Sequence, residues 1–121
     1  MRWRSAAVAA TLAAAVAGPL GAAFHNHLTK SIPAADEAVA PAPKSIQLWF
    51  AEKVEPKFSS ITLMTADSAK IALGAVAAGN EPKMLTAEIP SQLAAGKYLV
   101  RWRTAGDDGH AVRGTFAFTV K

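Results

Sequence analysis

The clearest pattern along the chain is strict alternation of apolar and polar positions. Ser45–Phe50 places Ile46, Leu48 and Phe50 on one face and Gln47 and Trp49 on the other. That period of two marks a strand with one face toward a core. Residues 97–103 set Tyr98, Val100 and Trp102 against Leu99, Arg101 and Arg103. Residues 114–121 set Phe116, Phe118 and Val120 against Thr115, Ala117 and Thr119. Shorter stretches at 28–32, 61–65, 70–76 and 83–89 complete the series; in the last, Met84, Thr86 and Glu88 oppose Leu85, Ala87 and Ile89. Asp67-Ser68 and Gly79-Asn80-Glu81-Pro82 punctuate the strands as turns. Residues 34–42 are a Pro- and Ala-rich connector, suited to a loop or an edge because Pro33, Pro41 and Pro43 lack a ladder donor. No segment after Gly21 sustains a helical period.

About seven strands at this spacing predict an all-β fold, a seven-strand Greek-key β-sandwich of two sheets. Trp49, Trp102, Phe50, Phe116 and Phe118 supply its large apolar side chains, each worth ~1.5–3 kcal/mol when buried. Leu93-x-x-Gly96-x-Tyr98 fits either a corner in which the Tyr hydroxyl ties a loop to backbone, or a plain core tyrosine after a Gly turn.

The first 24 residues differ in kind. Their only charges are Arg2 and Arg4, an Ala-rich apolar run follows, and small residues stand at Gly21, Ala22 and Ala23. This is the layout of an export signal, which predicts a signal peptide at 1–24 and one mature domain at 25–121. A retained anchor fits less well, because the run is shorter than the ~20 residues a span needs and contains Gly18 and Pro19. Removing two of the 13 basic residues leaves 11 against 9 acidic ones, so the formal +4 becomes about +2. No Lys/Arg block with interleaved aromatics occurs, so no nucleic-acid partner is expected. With no Cys, disulfides, thiolate metal sites and cysteine nucleophiles are excluded.

The three histidines fall in two places only. His25 and His27 follow the cleavage region, and His110 lies in Asp107-Asp108-Gly109-His110 between the last two strands. An N-terminal His25 would offer its α-amine and imidazole as a chelate, and nitrogen donors near a plane favour Cu(II). Asp108 and His110 would add a carboxylate oxygen and a third nitrogen. Zinc is the rival metal. The plainer alternatives are solvated histidines on a loose terminus and an ordinary Asp-rich turn. Met64 and Met84 could serve Cu(I), but each sits in an alternating strand and reads as core.

Together these residues resemble the CopC copper-binding proteins, the shorter YobA-like kind especially. The likeness runs through His25–Pro33, 42–52 with Leu48-Trp49-Phe50, Phe58-Ser59, Leu93 to Tyr98, Val100-Arg101-Trp102, Asp108 with His110, and Gly114 to Val120. It implies a small exported sandwich of immunoglobulin- or cupredoxin-like topology. It further implies one Cu(II) ion bound by the terminal amine and His25, with Asp108 and His110. His27 is an auxiliary ligand candidate and Glu52 a weaker one near the site. The implied role is a periplasmic copper carrier or buffer without catalytic activity, beside a CopD-type inner-membrane protein. Two features depart from the pattern. Only Met64 and Met84 stand where longer members carry a Met-rich Cu(I) stretch, and Phe24 precedes His25 where signal peptidase prefers a small residue. The other readings are a copper-dependent oxidase with an N-terminal histidine brace and a metal-free interaction domain.

Overall fold

The computed structural model describes residues 26–106 and 109–121. Residues 1–24, expected to be a signal peptide, lie outside them, as do His25 and Asp108. Among the described residues nine strands form two sheets: β1 (Leu28–Ile32), β2 (Ala38–Val39), β3 (Ser45–Phe50), β4 (Ser60–Thr65), β5 (Lys70–Ile71), β6 (Ala77–Ala78), β7 (Met84–Glu88), β8 (Gly96–Ala105) and β9 (Ala111–Val120). Among the described residues one 3-10 turn, Pro56–Phe58, interrupts the strands. One sheet has the order β1-β3-β7-β6 and the other β2-β9-β8-β4-β5. No helix among the described residues is long and apolar enough to cross a membrane.

The alternation translates directly into layers. Ile46, Leu48 and Phe50 from β3 and Leu85 and Ala87 from β7 face Leu63, Tyr98, Val100, Trp102, Phe116 and Phe118 of the other sheet, all buried in one cluster. The Tyr98 ring stacks on Phe118 with centroids 5.5 Å apart. Its hydroxyl donates to the Ala94 carbonyl at 2.6 Å, so the corner and the core readings of this tyrosine hold together. Gly96, between them, has φ +147°, a value L side chains rarely adopt.

Nine strands replace the expected seven for two local reasons. Residues 70–76 do not form one strand: Lys70–Ile71 pairs with β4, and the chain then crosses to the opposite sheet, where Ala77–Ala78 pairs with β7. The crossing is close, with the Gly74 N–H donating to the Glu88 carbonyl at 2.8 Å. The Pro-rich connector contributes β2, which runs parallel to β9 and covers its open edge. Trp49 is the exception among the five aromatics expected in the core. It is half-buried on the outer face of β3, with the Lys30 ammonium 4.7 Å from its ring. Met64 and Met84 are buried, yet both stand outside the inter-sheet cluster. Met84 fills the space over Gly79, where an added Cβ would lie 2.2 Å from its sulfur.

Candidate metal centre

The described histidines occupy the ends of strands. His27 immediately precedes β1, and its carbonyl accepts the Ala51 N–H at 2.9 Å. Asn26 fastens this segment. Its Oδ1 accepts from the Glu52 N–H at 2.9 Å and from the His27 N–H at 3.0 Å, while its Nδ2 donates to the Glu52 carbonyl at 3.4 Å. The chain that leads back to residue 25 is therefore held against the bend that follows β3. A β-bulge between Leu28 and Lys30 adds a local irregularity where the two strands meet.

His110 precedes β9 at the tip of the longest hairpin. β8 and β9 pair without interruption from Gly96 opposite Val120 to Ala105 opposite Ala111. Between these strands Gly109 has φ +77° and donates its N–H to the Gly106 carbonyl at 3.0 Å. Both Gly109 and His110 are exposed. Below the tip, Thr104 is fully buried, and its hydroxyl lies 2.7 Å from Ser59 Oγ. Ser59 spends its own proton on the Glu55 carbonyl at 2.6 Å, so Thr104 is the donor of that pair.

These contacts place the two segments at one end of the sandwich. Leu28 pairs with Phe50, and the Phe50 ring meets Trp102 of the opposite sheet at 5.1 Å. Trp102 lies on β8 three positions before its last residue, Ala105, which pairs with the neighbour of His110. Ser59, in the segment that follows β3, grips Thr104 at this same end. Glu52 stands here too, half-buried, with its backbone joined to Asn26. Among the described residues no three His, Cys, Asp or Glu side chains converge as a metal group. The other two expected ligands, His25 and Asp108, lie outside the described residues. The Asp67 carboxyl is held below its usual range by the Thr65 hydroxyl. It follows the end of β4 that pairs with Tyr98, at the opposite pole from His110. Asn26, Ser59 and Thr104 were not singled out by sequence; the only hint was an Asn between two histidines, a residue type that readily bonds nearby backbone.

A family model described as the CopC domain matches residues 28–121. Copper resistance protein C of Escherichia coli is 39% identical over 113 residues, covering 84% of this chain and 89% of that protein. Protein YobA of Escherichia coli K12 is 36% identical over 98 residues, covering 80% and 79%. Among solved structures, CopC from Methylosinus trichosporium OB3b has a TM-score of 0.74 at 35% identity, covering 80% of this chain and 94% of that one. PcoC, a methionine-rich copper resistance protein from Escherichia coli, has a TM-score of 0.72 at 39% identity, covering 80% and 99%. The alternating β-sandwich and the extent of these matches lead to one conclusion: this chain belongs to the CopC family of copper-resistance proteins.

Proposed function

We propose that the processed chain is a periplasmic Cu(II) carrier or buffer with no catalytic activity of its own. One ion is its cargo. The ligands are the terminal amine and imidazole of His25, the Asp108 carboxylate and the His110 imidazole, with His27 in an auxiliary role. The observation that carries this reading is the meeting of the His27 segment and the His110 hairpin at one end of the sandwich. Nitrogen donors and a single carboxylate match the preference of Cu(II) rather than Cu(I). Met64, buried at 4% exposure, is withdrawn from any ligand role. A CopD-type inner-membrane protein is the proposed recipient of the copper.

The test begins with the intact mass of the secreted protein, which establishes its first residue. Cu(II) is then titrated in competition with a chelator. His110→Ala loses most of the affinity and Met64→Leu loses none; equal affinity of parent and His110→Ala rejects the site. Amine and imidazole must shed protons to bind, so affinity falls as pH is lowered.

A further inference from the structure

The outer face of the five-stranded sheet, next to the His110 hairpin, is strongly basic. Arg101 and Arg103 on β8 and Arg113 on β9 are all exposed. Arg103 and Arg113 are directly opposed across the ladder. Like charges in that position destabilise a sheet, so the fold gains nothing from this pair. Among the described residues the one ion pair is Lys53–Glu55, and no carboxylate lies within ion-pair distance of the three arginines. Around them run two shallow depressions that share Ser60 and Arg103. One, of about 330 Å³, is bounded by Thr62, Arg101, Arg113 and Thr115. The other, of about 560 Å³, continues past Lys57 and Phe58 to Gly106 and Gly109. Phe58 is 50% exposed there, one of two large apolar side chains so open among the described residues.

We propose that this face is a docking surface for an acidic segment of a partner protein that also carries an apolar side chain. Guanidinium groups pair with carboxylates through two parallel hydrogen bonds, a geometry an ammonium cannot supply. The three arginines give the charge complement, and Phe58 gives an apolar anchor at their rim. Arginine and aromatic side chains are the residues that dominate protein–protein contacts. A lipid surface calls for more apolar area than one Phe side chain offers, since interfacial binding scales with the apolar area buried. The second depression ends at Gly106 and Gly109, so a partner seated here lies against the loop that carries His110. In purpose the inference rests on the copper-carrier reading, because such docking would bring an acceptor to the metal end. Its test does not depend on that reading.

The probe is a short synthetic peptide alternating Glu and Leu, added to the metal-free processed protein and followed by amide NMR shifts. Shifts are expected at Phe58, Arg101, Arg103 and Arg113. The double variant R103Q/R113Q should lose about tenfold or more in affinity, equivalent to ~1.4 kcal/mol, and Phe58→Ala should weaken binding as well. Arg103→Gln alone should raise the melting temperature, since it relieves the opposed pair. Unchanged affinity of the double variant, shifts centred on another face, or a lowered melting temperature for Arg103→Gln would overturn the proposal. So would co-sedimentation with phosphatidylglycerol vesicles without any response to the peptide. R103Q/R113Q keeps the parent affinity for Cu(II), and His110→Ala keeps the parent affinity for the peptide. Loss of one binding activity with the other intact therefore identifies which of the two readings has failed.

Discussion

The Phe50 ring meets the Trp102 ring edge-on, with centroids 5.1 Å apart and planes at 73°, and thereby joins the two sheets beneath the proposed copper-binding end. Gly114 makes this possible. A Cβ there would lie 2.5 Å from Trp102 Cζ2, with two further ring atoms inside 3.0 Å. Gly114→Ala forces the indole to shift, and overpacking of this kind costs ~1–3 kcal/mol. Urea unfolding should show a lower midpoint with an unchanged slope. An unaltered midpoint would mean that the ring has room to spare.

Asn26→Ala removes the side chain that ties the N-terminal segment to Glu52. Its cost to global unfolding should be about 1 kcal/mol, the usual net worth of a hydrogen-bonded side chain. The effect on Cu(II) affinity should be larger than the effect on stability, because the lost contacts orient the chain next to His25. Paired unfolding and copper titrations measure the two.

The pH response of the fold has a local component at Asp67. The Thr65 hydroxyl holds its carboxyl below the usual range. A carboxyl depressed in the folded state stabilises the fold above its unfolded pKa, and this contribution is lost as pH falls through the lower folded value. Thr65→Val should move the Asp67 titration upward, as followed by carboxyl carbon shifts. It should leave Cu(II) binding unaltered, since Asp67 stands at the far pole.

Legibility in the sequence tracked how strictly one face was buried. β3, β8 and β9 were readable because each sends alternate large side chains into one cluster. The stretch 70–78 was not, because Leu73 and Val76 pack against the core from a crossing segment that belongs to neither sheet. The size of Trp49 suggests a place in the core, but its position in the alternation sets it outward, under Lys30. At the metal end the histidine distribution was plain. Asn26, Ser59 and Thr104 were hidden, because each acts through a backbone or hydroxyl partner distant in sequence, and small polar residues carry no sign of such a partner. The opposed Arg103 and Arg113 became visible only with the β8–β9 register.

The central claim is that the mature N-terminus and the His110 hairpin grip one ion together. Paramagnetic broadening of amide signals by one equivalent of Cu(II) tests it most directly. The account predicts loss of signal at Asn26, His27, Glu52, Gly106, Gly109 and His110. Signals of Gly96 and Val120 should stay sharp, since they lie at the far end of β8–β9, ~30 Å away at 3.3 Å per residue. Broadening confined to the N-terminal segment, with Gly106 through Ala111 sharp, would contradict it.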